Sequence, residues 1–189
     1  LYGRKDIEAD EEFGKSVYLC NDCRRCETYC IYDDKNVLEN NRYSKAEIFK
    51  AGFAPRQIYK IEKNLIRTGN IYGLKYKTAN DQPDLKQYDI FIYSGDFIRS
   101  LEPQIFESFK RLLRKLKISY VYDCNEISDG IIPLELGMEK ISEELMKINY
   151  NRINRFNFDK LVVLDPYSYR NLREEYKKFG FKFDCEIMH

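Results

Sequence analysis

Residues 88–123 read YDIFIYSGDFIRSLEPQIFESFKRLLRKLKISYVYD, and the spacing of their apolar residues changes twice. The two ends, 88–94 and 118–123, are short apolar runs of the kind that form buried strands. Between them, apolar residues recur every three or four positions, as on one face of a helix, at Ile98, Leu101, Ile105, Phe109, Leu112 and Leu116. Strand, helix and strand in this order predict a β-α-β unit with parallel strands.

The same alternation continues along the rest of the sequence. We predict a long helix from Leu134 to Phe156, a strand at KLVVLD (160–165), a helix at SYRNLREEYKKF (168–179) that Gly180 ends, and a strand at FDCEI (183–187). Residues 88–189 are therefore predicted to form an α/β domain, whose mainly parallel sheet has strands near 89–93, 118–122, 161–164 and 183–187. The chain carries no glycine-rich nucleotide-binding fingerprint, so we predict no nucleotide site.

The N-terminal part has a different pattern, and we predict a small all-helical domain over residues 1–75. In SKAEIFKAG (44–52), Ser44 followed by Glu47 is typical of a helix N-terminus and Gly52 of a helix end. A second helix is predicted between Pro55 and Gly69. Residues 76–87 are polar and lack periodicity, which indicates a linker.

Composition and charge limit the function classes. Lys and Arg (32) almost balance Asp and Glu (31) among 189 residues, so the chain has no basic field that would favour nucleic acid. No apolar run is long enough for a membrane span, and no signal peptide opens the sequence. We expect a cytoplasmic protein without a transmembrane segment, for which peripheral membrane association through a partner stays open.

Four of the six cysteines lie in CNDCRRCETYC (20–30), at Cys20, Cys23, Cys26 and Cys30. Disulfide scaffolds spread their cysteines along a domain, whereas these are bunched, which indicates a shared ligand. Zinc sites usually combine two separated C-x2-C pairs. Three thiolates at three-residue steps and a fourth after x3 match instead the ligand run of a [4Fe-4S] cluster. Zinc and reduced structural thiols remain the alternatives.

Two features of this run qualify the prediction. Ile31 stands where the ferredoxin run usually has proline. Cys30 either closes the same cluster or belongs to one whose other ligands lie outside the chain, because the fourth cysteine of two-cluster ferredoxins binds the other cluster. We interpret Cys124 and Cys185 as small apolar core residues.

Taken together, the cysteine run, the segment TGNIYG (68–73) and the α/β pattern resemble iron-sulfur oxidoreductases related to heterodisulfide reductase and glycolate oxidase. The C-terminal domain is similar to their CCG domain, which carries Gly-Cys, Cys-Cys-Gly and Cys-Pro-x-Cys. This chain has SGDFIRSLEPQI, SDGIIPLELG and DPYSYRNL at these places. By this resemblance, five residues replace the cysteines: Asp96, Ser128, Asp129, Asp165 and Ser168. The 31 residues between Asp96 and Ser128 and the 35 between Asp129 and Asp165 match the family's spacing.

The replacements change the chemistry that this domain supports. Thiolates are soft ligands for iron-sulfur clusters, whereas Asp and Ser oxygens are hard ligands, so we expect no cluster there. These side chains are instead expected to cap helices and to hold loops, and a rebuilt Mg²⁺ or Ca²⁺ site is the alternative.

The resemblance implies an electron-transfer subunit of a heterodisulfide reductase-like redox complex, in which a degenerate CCG domain is a scaffold and the partners are other subunits. No catalytic residue is assigned. Two alternatives remain: an enzyme subunit that works with the rebuilt Asp and Ser site, and a non-redox interaction protein whose short helices are held together by a metal.

Overall fold

The computed structural model describes residues 9–29, 36–75, 82 and 84–189. Within this part of the chain, four parallel strands form one sheet in the order β2-β1-β3-β4. The strands are β1 (Tyr88–Tyr93), β2 (Tyr120–Val121), β3 (Phe158–Val163) and β4 (Glu186–Met188). The α/β class and the parallel sheet predicted from the sequence are confirmed.

Helices precede the sheet and cover it. The first four are α1 (Glu11–Val17), α2 (Arg25–Tyr29), α3 (Val37–Lys50) and α4 (Arg56–Thr68). Those that alternate with the strands are α5 (Asp96–Leu101), α6 (Pro103–Leu116), α7 (Ile131–Glu135), α8 (Glu139–Ile153), α9 (Pro166–Arg170) and α10 (Tyr176–Lys178), with a π-helical segment (Asn171–Glu175) joining the last two.

The two faces of β1 bury their side chains under different helices. Phe91 and Tyr93 face one side, in a cluster that includes Met146 of α8. Ile92 faces the other side, in a cluster that includes Phe106 of α6. Because both faces are covered, β1 is almost continuously apolar, as expected for a strand in the middle of a parallel sheet.

Three predicted helix boundaries are wrong. The helix expected over 97–116 is divided at Glu102, because Pro103 starts a new helix. The helix expected from Leu134 to Phe156 is divided at Gly137, whose φ of 83° is left-handed. Ser44 is not an N-cap: α3 begins at Val37, and the Ser44 hydroxyl donates to the Asn40 carbonyl inside that helix.

The N-terminal helices share a core with the α/β part. Ile48 of α3 and Ile58 and Leu65 of α4 are buried in one cluster with Met138 and Leu145. Of the predicted linker, residues 76–81 and 83 lie outside the described residues. In the described part, no helix is long and apolar enough to cross a membrane.

Candidate functional site

Three of the four predicted cluster ligands lie close together in one exposed segment, Cys20 and Cys23 in the loop between α1 and α2 and Cys26 in the first turn of α2. Cys20, Cys23 and Cys26 are all exposed free thiols. Cys30 lies outside the described residues. We call residues 20–26 the cysteine loop.

The backbone of the cysteine loop takes the left-handed conformation at two residues that are not glycine. Asp22 has a φ of 52° and Arg24 a φ of 60°. This conformation disfavours residues with a Cβ, so surrounding contacts must hold it. The two residues stand between successive cysteines; the Asp22 side chain is buried, and the Arg24 side chain is partly exposed.

Asp22 fastens the first half of the loop. Its carboxylate is buried and accepts hydrogen bonds from Asn41 Nδ2 at 2.8 Å and Lys45 Nζ at 3.0 Å. Lys45 Nζ also donates to the Cys20 carbonyl at 3.0 Å. The loop is thus tied to one face of α3 through both a side chain and the backbone.

Arg24 fastens the second half to the C-terminal part of the chain. Its guanidinium donates to Glu175 Oε1 at 3.0 Å, and Arg42 donates to Glu175 Oε2 at 3.2 Å. Glu135 lies 3.7 Å from Arg42 and accepts from Arg170 at 2.8 Å. We call this set the anchor network: Asp22, Arg24, Arg42, Lys45, Glu135, Arg170 and Glu175.

Most of the anchor network is buried, so its charges need one another, whereas the side chains of Arg24 and Arg170 are 32% and 27% exposed. The Glu175 side chain is 1% exposed and that of Asp22 also 1%, while Arg42 and Lys45 are nearly as buried. Burying an unpaired charge costs several kcal/mol, whereas a well-paired group offsets most of that cost. The network therefore specifies where the loop sits more than it adds stability.

The electrostatics at the loop follow from this burial. Partial burial raises the pKa of the Cys20 thiol, although the nearby Asp22 backbone N–H lowers it. Burial raises the pKa of Glu135 to about 7, and the negative charge of Asp22 adds to this effect. The positive charges of Arg170 and Arg42 act in the opposite direction and lower the pKa. Burial also acts to raise the pKa of Glu175, but Arg42 and Lys178 outweigh it, and the pKa lies below the ordinary value.

The loop supplies suitable donors for a metal centre without forming a closed cage. Within the described residues, no three His, Cys, Asp or Glu side chains are arranged to hold a metal ion. The donor type nevertheless fits an iron-sulfur cluster, since three exposed thiols lie within seven residues. A bound cluster would need the thiols to turn toward one point, with Cys30 as the fourth donor.

A second polar group lies at the carboxyl ends of the strands. Asp96 follows β1, Ser128 and Asp129 lie in the loop after β2, and Asp165 and Ser168 follow β3. Parallel strands bring these ends to one edge of the sheet. We call these five residues the carboxyl-edge cluster.

Close contacts join the members of the carboxyl-edge cluster. A Cβ placed on Gly95 would lie 2.9 Å from both Asp165 Oδ2 and Ser168 Oγ. The Asp129 carboxylate accepts from the Ile131 N–H at 3.0 Å, and Asp165 caps α9 by accepting from the Tyr167 N–H at 2.8 Å. Two of the five side chains thus hold loop or helix backbone, the role expected from the sequence.

Burial changes the ionisation of this cluster. It raises the pKa of Asp96 to about 8, an effect that the charge of Asp129 strengthens and the nearby Ser128 hydroxyl weakens. Burial also raises the pKa of Asp129 to about 6, although hydrogen bonds from the Ile131 N–H and Ser168 lower it. Among the described residues, buried Oδ2 atoms of Asp96 and Asp129 have no hydrogen-bond partner. At neutral pH the Asp96 carboxyl is therefore disposed to carry a proton, whereas Asp129, with the lower pKa, is largely ionised.

Sequence reasoning missed Glu126, which organises the same edge. Its carboxylate accepts from the N–H groups of Ser94 and Gly95, each at 2.9 Å, and from Ser94 Oγ at 2.7 Å. Arg99 Nη1 lies 3.7 Å from it. A carboxylate from the chain itself thus occupies the N-terminal end of α5, where helix dipoles favour anions. The only sequence signal is an isolated Glu in a polar loop.

The remaining candidate residues have simpler surroundings. Cys185 packs at the edge of the cluster around Phe91, and Cys124 at the edge of the cluster around Ile92. Both are half-buried, and neither is part of a disulfide. The His189 ring meets Tyr169 edge-on with 5.8 Å between centroids, and its charge lowers the pKa of Asp165, which burial raises overall.

Comparison with known proteins finds similarity along nearly the whole chain. A protein of Bacillus subtilis named "Probable iron-sulfur-binding oxidoreductase FadF" is 24% identical over 97% of this chain and 28% of its own length. The "Probable membrane-anchored ferredoxin" of Chromohalobacter salexigens is 24% identical over 86% and 26%. The "EtfAB:quinone oxidoreductase" of Syntrophomonas wolfei is 22% identical over 93% and 27%.

The chain thus spans 26% to 28% of the length of these curated relatives. No model of a known protein family matches it. No solved structure matches it either. Its similarity is to proteins named as iron-sulfur oxidoreductases or ferredoxins, at low identity.

Proposed function

We propose that this chain is an iron-sulfur electron-transfer subunit of a heterodisulfide reductase-like redox complex. Cys20, Cys23, Cys26 and Cys30 would hold one [4Fe-4S] cluster, which accepts and releases single electrons. The partners would be other subunits of the complex, in the cytoplasm. Residues 1–75 would be the ferredoxin-type domain, 76–87 a linker, and 88–189 a degenerate CCG-like scaffold.

One observation carries the proposal: the cysteine loop is exposed, and the anchor network binds it to α3 and to the C-terminal part of the chain. The thiols face solvent, whereas the side chains between them form ion pairs with the rest of the protein, Asp22 with the buried Lys45 and Arg24 with the buried Glu175. A redox centre at this place would lie near the surface, where a partner can approach it. The names of the similar proteins support the iron-sulfur assignment.

The carboxyl-edge cluster supports the proposed scaffold role. Its oxygens are hard donors, unsuited to an iron-sulfur cluster, and part of the cluster already bonds the local backbone. The alternative of an enzyme subunit with a rebuilt Asp and Ser site draws on the raised pKa of Asp96, a property that catalytic acids share with merely buried ones.

Anaerobic purification tests the cluster. The wild-type chain is expected to hold about four irons and four labile sulfides, with a reduced-state EPR signal. Cys23→Ser should lose iron and signal. Cys124→Ser and Cys185→Ser are matched controls, since both thiols lie away from the loop, and should keep full iron content. Stoichiometric zinc without labile sulfide would refute the electron-transfer role and support the metal-held interaction protein.

The variant Asp129→Ala distinguishes the proposed scaffold role from the alternative of an enzyme subunit. A scaffold should keep its EPR signal and the turnover of the assembled complex. Loss of turnover with normal folding and iron content would instead assign chemistry to the carboxyl-edge cluster.

A further inference from the structure

Helices α5 and α6 expose a row of large apolar side chains that no described part of the chain covers. Leu101, Ile105, Leu112 and Leu116 are 44% to 58% exposed, and Phe97 is 48% exposed. Phe97 and Leu101 are four positions apart on α5, and Ile105, Leu112 and Leu116 are seven and four positions apart on α6, so within each helix they share one face. We call these five residues the α6 stripe.

The stripe is separate from the face with which α6 joins the core. Phe106, Lys110 and Leu113 are buried, at 7%, 1% and 4% exposure. Helical spacing places Leu112 and Leu116 about 100° around the helix from these buried positions. The stripe is therefore a second apolar edge, in addition to the one that the fold needs.

Positive charge flanks the stripe on its solvent side. Residues 108–117, SFKRLLRKLK, contain five basic residues and no acidic one; of the five, Lys110 is buried and the other four are exposed. Arg111 and Lys115 are exposed and follow the stripe around the helix, away from the core. The acidic residue of α6, Glu107, is paired with Lys110 at 2.9 Å and lies on the far side by helical spacing. The chain's overall charge of +1 makes this local excess distinctive.

We propose that α5 and α6 form a docking surface for an anionic lipid bilayer. The stripe would enter the boundary between headgroups and acyl chains, while Arg111 and Lys115 contact lipid phosphates. Half-exposed leucines in one row, with basic residues beside them, form the pattern of a helix lying in the membrane interface. A row one residue wide suits a lipid surface better than a protein interface, which normally buries about 800 Å² on each partner.

The proposal does not depend on the iron-sulfur assignment, since none of its residues belongs to the cysteine loop or the anchor network. It predicts reversible association rather than insertion. Binding should require both parts of the surface: each basic residue near an anionic membrane contributes about fivefold in affinity, and apolar contact adds to this.

Vesicle flotation tests the proposal with the whole chain. Wild type should float with phosphatidylcholine vesicles that contain about one third phosphatidylglycerol, and much less with phosphatidylcholine alone. About 0.5 M NaCl should weaken the binding, because it screens exposed charges. Leu112→Ser with Leu116→Ser should reduce partitioning at least about tenfold. Arg111→Gln with Lys115→Gln should reduce it about 25-fold.

Matched variants on α4 control for general exposure. Ile66 is 72% exposed, more than any stripe residue, and Lys60 and Lys63 are exposed beside it. Ile66→Ser, and Lys60→Gln with Lys63→Gln, should leave flotation unchanged. Circular dichroism checks that every variant is folded. If the leucine variant is unfolded, the charge variant still tests the proposal.

Three results would overturn the proposal. Wild type failing to float with anionic vesicles is the first, and equal losses in the α4 and α6 variants are the second. The third is a dimer in sedimentation equilibrium that Leu112→Ser with Leu116→Ser converts to a monomer, which would assign the stripe to a second copy of the chain.

Discussion

The backbone of Gly137 lies against the backbone of Ala46. A Cβ on Gly137 would be 2.4 Å from the Ala46 nitrogen and 2.6 Å from the Lys45 carbonyl carbon. This contact sets the separation between α3, which carries Lys45 and Arg42 of the anchor network, and the turn that follows Glu135. Tyr18 also binds the turn after Glu135, because its hydroxyl donates to the Leu136 carbonyl at 2.8 Å.

Gly137→Ala should therefore destabilise the protein by about 3 kcal/mol, for two reasons. The new Cβ strains a residue in the left-handed conformation, and it also clashes with backbone atoms of α3, which cannot rotate away. Gly180→Ala is the control: its φ of 82° is almost the same as the 83° of Gly137, but a Cβ there meets nothing within 4 Å. It should cost only about 1 kcal/mol. Equal losses in urea denaturation would contradict the close approach.

Asp22→Ala should unfold or loosen the cysteine loop. The change leaves Lys45 and Arg42 buried without the carboxylate that pairs with them, so the free energy of unfolding should fall by about 3 to 5 kcal/mol. Urea denaturation measures the change, and iron content after anaerobic purification should fall with it. Glu144→Ala, at an exposed position of α8, should alter neither quantity. A stability within about 0.5 kcal/mol of wild type would remove Asp22 from its anchoring role.

Glu126→Ala should destabilise the carboxyl edge of the sheet. The change removes the acceptor from two buried N–H groups and one hydroxyl, at about 1 to 3 kcal/mol for each buried group left without a partner. Glu126→Gln keeps one acceptor oxygen and should cost less. Thermal unfolding compares the two variants. If Gln is as damaging as Ala, then the charge, facing Arg99, matters more than the hydrogen bonds.

The raised pKa of Asp96 predicts that stability falls as the pH rises. Between about pH 4, where the unfolded Asp ionises, and about pH 8, only the folded state keeps the proton. The folded state then binds more protons than the unfolded state, so the free energy of unfolding decreases by about 1 kcal/mol for each pH unit. Asp96→Asn should reduce this dependence, to which the raised pKa values of Asp129 and Glu135 still contribute, and should stabilise the protein at pH 8.

Asp89→Asn is a control with the opposite sign. Hydrogen bonds from Ser119 lower the pKa of Asp89, so its carboxylate favours folding above its ordinary pKa. The variant should lose stability at pH 7 and leave the slope between pH 4 and 8 in place. Urea titrations at several pH values measure both. An unchanged slope in Asp96→Asn would show that Asp96 ionises normally.

The parallel sheet was predictable because short apolar runs, such as residues 90–93 and 161–164, alternate with segments of helical periodicity. Residues 88–93 show this well, since both faces of β1 are buried. Helix divisions were not predictable from periodicity alone. The apolar spacing continues across Glu102 and Gly137, and only the proline ring and a long-range backbone contact decide where each helix stops.

The candidate site was predictable in part. The spacing of Cys20, Cys23 and Cys26 is visible in the sequence, and so is the place of Asp96, Asp129 and Asp165 after successive strands. The anchor network was not predictable, because its partners come from distant elements and have no local pattern. Glu175 is one of several acidic residues on a helix surface until the fold brings it to Arg24 and Arg42.

The pairing of Arg24 with Glu175 also sets an order of events during synthesis. The two residues are 151 positions apart, so the cysteine loop leaves the ribosome long before its anchor exists. At about 5 to 20 residues per second, the delay is on the order of ten seconds. Throughout that interval the second half of the loop lacks its Glu175 anchor, whereas Asn41 and Lys45, which hold Asp22, follow within 23 positions. A cluster held as we propose would reach its final surroundings only after the C-terminal helices have formed.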